Sequence, residues 1–126
     1  MQRISQEDRR LRGSRSHHAG RAAEGAVARD YDRRGQSIAA ERWRCPWGEI
    51  DLIARNGDEV VFIEVKQSRS HDEALSHITQ RQIDRITAAA AVFVDGEPQG
   101  SLTPVRFDLA LVDGQGRIKV MENFLA

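Results

Sequence analysis

Apolar positions along this chain recur with two different periods. From about Ala19 to Arg34 the spacing is helical: Ala19, Ala22, Ala23, Ala26, Val27 and Tyr31 form one stripe, and Gly35 follows as a C-terminal cap would. Ahead of it, Met1 to His18 carries Arg3, Arg9, Arg10, Arg12 and Arg15 and almost nothing apolar, which reads as a disordered or frayed basic arm. Ser37 to Arg44 suits a strand, and Cys45-Pro46-Trp47-Gly48 a turn. Ile50 to Arg55 and Glu59 to Lys66 have strand character and flank Asn56-Gly57-Asp58, a strong hairpin signal. Arg69 to Ser76 is polar and loop-like. Thr79 to Val94 predicts a second helix, with Ile83, Ile86, Ala90, Phe93 and Val94 on one side and Thr79 and Gln82 spaced as a capping box. Gly96 to Pro104 links it to two more strands, Val105 to Val112 and Arg117 to Asn123. The order α β β β α β β predicts one α/β domain on a mixed sheet over residues 19–126, behind the arm of residues 1–18.

The hairpin brings chemistry into the pattern. Alternate side chains of a strand share a face, so Val60, Phe62, Glu64 and Lys66 lie together, with Val61, Ile63 and Val65 behind them. Both faces are apolar over much of their length, which predicts a central strand covered on both sides. Glu64 and Lys66 thus continue a core-facing row, where charge is costly unless paired or bound to an ion. On the partner strand Glu49, Asp51, Ile53 and Arg55 share a face. A two-residue turn at Asn56-Gly57 sets Asp51 opposite Phe62 and Glu49 opposite Glu64; a four-residue loop sets Asp51 opposite Glu64. In either register Glu49, Asp51, Glu64 and Lys66 share one face, and only an odd slip such as a bulge would separate them. Opposed or diagonal neighbours on one face lie about 4.5–8 Å apart at Cβ, close enough for two carboxylates to hold one divalent cation. Oxygen ligands point to Mg²⁺ or Mn²⁺ rather than zinc. The bland alternative is a Glu64–Lys66 pair on an exposed strand end with Asp51 solvated.

Charge sharpens this picture. The chain of 126 residues has no net charge, but residues 1–55 hold twelve Arg against eight acidic residues, and residues 56–126 seven basic against eleven acidic. The basic half could attract a polyanion or merely solvate an arm. Only Lys66 and Lys119 among the nineteen basic residues are lysines, a mild sign that an ammonium is wanted at Lys66. The longest apolar run, Ala88 to Val94, is too short to span a bilayer, and the arginine-rich N-terminus has no apolar segment behind it. A lone Cys45 excludes an intramolecular disulfide and cysteine-cluster metal sites. A soluble cytoplasmic protein is the default expectation.

Gly20-Arg21-Ala22-Ala23-Glu24, Trp43-Arg44-Cys45, Gly48-Glu49-Ile50-Asp51-Leu52-Ile53, Phe62-Ile63-Glu64-Val65-Lys66 and Arg106-Phe107-Asp108 follow one another in an order and spacing that resemble the YraN-type bacterial family. That family resembles the PD-(D/E)XK nucleases, close to the archaeal Holliday-junction resolvases. The resemblance covers roughly residues 17–126 and implies a restriction-endonuclease-like mixed sheet flanked by helices. It implies Asp51 and Glu64 as metal ligands, a further oxygen from the Val65 carbonyl, Glu24 completing the metal site, and Lys66 as the catalytic lysine. Glu49 is typical of the family without an assigned role, Gly48 allows a tight approach, and Arg106 and Asp108 belong to a late motif of supporting character. Two positions depart from the family: Ser68 stands where a basic residue is usual, with Arg69 next, and Gln82 where a lysine is usual. Gln82 could cap its helix or contact a backbone phosphate.

Arg21, Arg42, Arg44 and Arg69 are candidate nucleic-acid contacts. Trp43 and Trp47 suit either base stacking or packing under the helix. His17, His18, His71 and His77 form no metal pattern, and Cys45 lacks a His partner. The leading expectation is a Mg²⁺- or Mn²⁺-dependent endonuclease acting on DNA, branched or flapped forms included, with a homodimer suggested by resemblance to junction-cleaving enzymes. The alternative is a nucleic-acid-binding accessory protein of the same fold without useful catalysis.

Overall fold

The computed structural model describes residues 6–125, with side chains from Gly20 onward. Helix α1 (Gln6–Arg33) is followed by strands β1 (Ser37–Cys45), β2 (Gly48–Asn56) and β3 (Glu59–Gln67). Helices α2 (His71–Ser76) and α3 (Gln80–Asp95) and a short 3₁₀ turn (Gly100–Leu102) lead to β4 (Val105–Val112) and β5 (Ile118–Met121). The sheet order is β1-β2-β3-β4-β5, antiparallel except for the parallel pair β3–β4. A parallel pair needs a crossover, and α2 with α3 supply it. This is the expected α/β class: a five-stranded mixed sheet flanked by helices, consistent with a restriction-endonuclease-like fold.

Strand β3 is buried from Val60 through Phe62 to Ile63 and feeds two cores. On one face Val61 and Ile63 join Leu52, Ala54, Ala110 and Val112 beneath Ala23, Val27, Ala28 and Tyr31 of α1. On the other, Val60 and Phe62 join Ile50 and Ile53 beneath Ala89 and Ala90 of α3. Further along that second face, Leu109 and Leu111 pack on Ala74 of α2. The two-sided apolar pattern of β3 thus corresponds to a central strand under helices on both faces.

Several boundaries differ from the pattern-based expectation. Helix α1 begins at Gln6 rather than near Ala19, so residues 6–18, expected as a disordered arm, have helical backbone. Arg, Gln and Glu favour helices as readily as solvated coil, so composition alone could not separate the two. Residues 1–5 lie outside the described residues. Within the expected α1 stripe Ala22 is exposed, and the buried line runs Ala23, Val27, Tyr31 at i, i+4, i+8. The expected loop over Arg69–Ser76 contains α2, whose N-cap Ser70 accepts from the Glu73 amide. Strand β5 is shorter than expected, ending at Met121.

Candidate active site

The carboxylate pair is built by the hairpin register. Asn56 pairs with Glu59 across Gly57-Asp58, and Gly57 takes the φ of 62° that this tight turn requires. The ladder runs on to Leu52↔Ile63, one step short of Asp51 and Glu64. The observed register is therefore the one that places Asp51 opposite Glu64, reached through a two-residue turn one position later than Asn56-Gly57. Beyond the ladder the Val65 amide donates to Oδ2 of Asp51 at 2.8 Å.

Strand β2 loses its alternation here. Ile50 and Ile53 share the α3-side core, although three positions apart they would face opposite ways in a regular strand. Opposite this break, between the pairs Glu41↔Leu52 and Trp43↔Ile50, stands Arg42, with φ of 49°. A local irregularity of this kind re-aims side chains without ending the sheet. Asp51 and Glu64 still face one pocket of about 210 Å³, lined also by Gly48, Glu49, Gln82, Arg85 and Ile86. A Cβ on Gly48 would lie 3.4 Å from Cβ of Arg85, so the glycine lets α3 approach the start of β2.

Burial governs the chemistry of the pair. It pushes the Glu64 carboxyl up to about 8, and the negative charge of Asp51 pushes in the same direction. Burial also raises Asp51, opposed chiefly by the hydrogen bond from the Val65 amide. The two carboxyls act on each other, Asp51 raising Glu64, as like charges sharing one site do. The Lys66 ammonium lies 3.3 Å from Oε1 of Glu64, both side chains largely buried at 17% and 12% exposure. The exposed strand-end reading therefore does not describe this pair.

The remaining candidates divide. Glu24 stands on α1, is held by Nε of Arg42 at 2.9 Å and lines a separate pocket with Arg21 and Arg42, so the structure does not bring it together with the pair. Glu49 lines the pocket at its rim and lies 3.6 Å from Arg44. The Gln82 side chain accepts from the Thr79 amide, completing the capping box while lining the pocket. Arg21 is exposed beside Glu24 and Arg42, and Arg69 is exposed and paired with Glu73. Trp43 packs edge-on against Phe93 at 5.4 Å, whereas Trp47 is exposed.

Arg106 and Asp108 join a different cluster. Asp108 is fully buried and accepts from Arg106 at 2.9 and 3.0 Å, from the Tyr31 hydroxyl at 2.6 Å and from the Asn123 amide at 3.0 Å. Arg106 also binds Gln36. Asp108 pairs with Ile63, on the face under α1, away from the face on which Glu64 lies. Arg85 was not singled out by the sequence. Its only signal was its place one helical turn beyond Gln82.

Two largely buried carboxyls in a pocket whose described lining offers no soft ligand suit a hard divalent cation, which commonly keeps waters and takes only one or two carboxylates. Among the described residues no three His, Cys, Asp or Glu side chains converge at metal-binding distance.

A mixed sheet carrying paired acidic residues on adjacent strands, with a lysine two positions after the second, defines a protein of the restriction-endonuclease-like class. The chain matches the family described as Uncharacterised protein family UPF0102 over residues 23–112, and it belongs to that family. A UPF0102 protein of Ruegeria pomeroyi is 59% identical over 112 residues, covering 89% of this chain and 91% of its own length. One from Cereibacter sphaeroides strain KD131 is 57% identical over 116 residues, covering 92% and 99%. One from Dinoroseobacter shibae is 44% identical over 115 residues, covering 91% and 86%. This is the YraN-type family that the sequence motifs resemble. Among the described residues no helix is long and apolar enough to cross a membrane.

Proposed function

We propose that this chain is a cytoplasmic, metal-dependent endonuclease that hydrolyses DNA phosphodiester bonds, branched or flapped DNA being the first substrates to test. The observation that carries the reading is the buried Asp51–Glu64 pair with the Lys66 ammonium 3.3 Å from Glu64. Asp51, Glu64 and the Val65 carbonyl would hold Mg²⁺ or Mn²⁺, whose charge, when bound, polarises a phosphate oxygen. Lys66 donates hydrogen bonds to the attacking water and keeps positive charge beside the phosphate as negative charge develops. The Val65 amide fixes the Asp51 carboxylate, and Arg85 on α3 offers a cation at the pocket wall. Exposed Arg44 and Arg69 provide further backbone contacts to the nucleic acid. A homodimer would match the two-fold symmetry of a junction.

The deciding experiment incubates the chain with Mg²⁺ or Mn²⁺ and linear duplex, single-stranded, flapped and four-way-junction DNA, beside Asp51→Asn. Metal-dependent cleavage lost in the variant supports the reading; equal cleavage by the variant overturns it. A nucleic-acid-binding protein without catalysis is the second reading, favoured by the Glu24–Arg42 ion pair and the neutral Gln82. It predicts junction binding without cleavage. Truncation before Ala19 would then lower affinity and flatten its salt dependence if the arginine-rich segment carries the binding.

A further inference from the structure

Trp43 and Trp47 lie four residues apart on one hairpin, and the fold treats them in opposite ways. Trp43 meets Phe93 of α3 edge-on at 5.4 Å and packs against the core on that side. Trp47 is 63% exposed, and among the described residues no ring or cation stacks on it. Cys45 pairs with Gly48, so Pro46-Trp47 is the two-residue turn between β1 and β2. The ring of Pro46 fixes its own φ. Behind the turn Gly48 meets α3, where a Cβ on it would lie 3.4 Å from Cβ of Arg85. The indole is therefore carried on a stiff, buttressed tip and presented to solvent.

That tip borders the acidic pair. Gly48 and Glu49, the next two residues, line the pocket of Asp51 and Glu64. Trp47 precedes Asp51 by four positions, a span of no more than about 14 Å, or roughly four base steps of a stacked strand. Exposed Arg44 precedes the turn and exposed Arg85 stands behind it. A flat ring beside guanidinium groups suits a base on the ring with its phosphates on the cations. A base inside continuous duplex is already stacked and must be unstacked before it can offer a face. We infer that Trp47 is a stacking platform for an unpaired base a few nucleotides from the phosphate at the Asp51–Glu64 pocket, so that the substrate carries a single-stranded segment. The inference rests on the DNA reading above, but the stacking itself needs neither metal nor cleavage.

The test measures binding of the full chain at low salt in EDTA, by fluorescence anisotropy of labelled single-stranded, flapped and continuous duplex DNA. Wild type is compared with Trp47→Ala and Trp47→Phe, both changed at an exposed turn and checked for the wild-type fold by circular dichroism. Trp47→Ala should bind single-stranded and flapped DNA roughly five- to a hundredfold more weakly, the loss of one base–aromatic stack. Its binding to duplex, carried by backbone charge, should stay within about twofold. Trp47→Phe keeps a ring and should recover most of the loss. Single-stranded DNA should quench the tryptophan emission of wild type but not that of Trp47→Phe, in which Trp43 alone emits. Equal weakening on flap and duplex, or none on either, overturns the platform, and the nuclease reading still stands if metal-dependent cleavage is lost in Asp51→Asn. Self-association in sedimentation that Trp47→Ala abolishes assigns the indole to a second copy of the chain and also overturns the platform. Wild type that binds none of the three DNAs overturns the nucleic-acid reading and the platform with it.

Discussion

The amide of Val65 donates to Oδ2 of Asp51 at 2.8 Å, at the point where the backbone ladder between β2 and β3 has ended. One side chain thus replaces a rung of the sheet and is fixed in orientation by doing so. Asn keeps an acceptor oxygen at this position, whereas Ala leaves the amide without its partner. Asp51→Asn should therefore fold normally and lose divalent-cation binding. Asp51→Ala should lose binding as well and also cost about 1–3 kcal/mol of stability in urea unfolding.

Glu64 makes stability depend on pH in an unusual direction for a carboxylate. Its carboxyl titrates near 8 in the fold, against an ordinary value of 4.5, so the folded state binds more protons between those values. Stability without metal is highest below about pH 4.5 as far as this group is concerned, and its contribution is lost as pH rises to about 8. The raised Asp51 carboxyl acts in the same sense. Melting temperatures between pH 5 and 9 should fall more steeply for the wild type than for Glu64→Gln. On the proposed metal-dependent reading Mg²⁺ or Mn²⁺ would displace the proton, so affinity should climb over the same interval with proton release measurable in buffers of different ionisation enthalpy.

The Asp108 cluster is a stability element separable from the candidate chemistry. Tyr31→Phe removes one of the donors to a fully buried carboxylate and should cost about 1–3 kcal/mol. Arg106→Met strips the bidentate partner and should cost about 3–5 kcal/mol. Denaturant unfolding checks both. Tyr31→Phe should leave the Mn²⁺ affinity of the folded protein unchanged, because Asp108 lies under α1 and the acidic pair under α3.

Gly48 offers a graded probe of the helix that walls the pocket. The position of its absent Cβ is 3.4 Å from Cβ and 3.5 Å from the carbonyl oxygen of Arg85. Gly48→Ala should be nearly neutral. Gly48→Val should push α3 outward, costing about 1–3 kcal/mol in unfolding measurements and weakening metal or DNA binding by moving Gln82 and Arg85.

The sheet was legible because its signals are local. Asn56-Gly57 marks the hairpin, and the doubly apolar run Val60–Ile63 marks a central strand; alternation also predicts a shared face for Asp51 and Glu64, but β2 reaches their common pocket through a break between Ile50 and Ile53 that alternation does not predict. Helix α2 was missed because six residues with one buried position, Ala74, show no periodicity. Its capping residues Ser70 and Glu73 were visible, but no apolar stripe followed them. The break at Arg42 could not be read either, since an arginine in the left-handed region answers to its tertiary partner Glu24 rather than to its neighbours. Tyr31 was legible as a member of the apolar stripe of α1, but not as a hydrogen-bond donor to a residue 77 positions away.

That separation has a consequence for the order in which the molecule is assembled during synthesis. Strands β1, β2 and β3 are joined by successive hairpins, and both acidic residues are present once β3 has left the ribosome. The bond that fastens α1 to the rest must wait for Asp108, and the Asn123 amide joins later still. The nascent chain thus carries its acidic hairpin before the clasp that secures the first helix over it, and contacts of such long range are the slow ones to form. The segment that carries Asp108 and Asn123 is therefore what completes the closure of a domain whose acidic hairpin is built earlier along the chain.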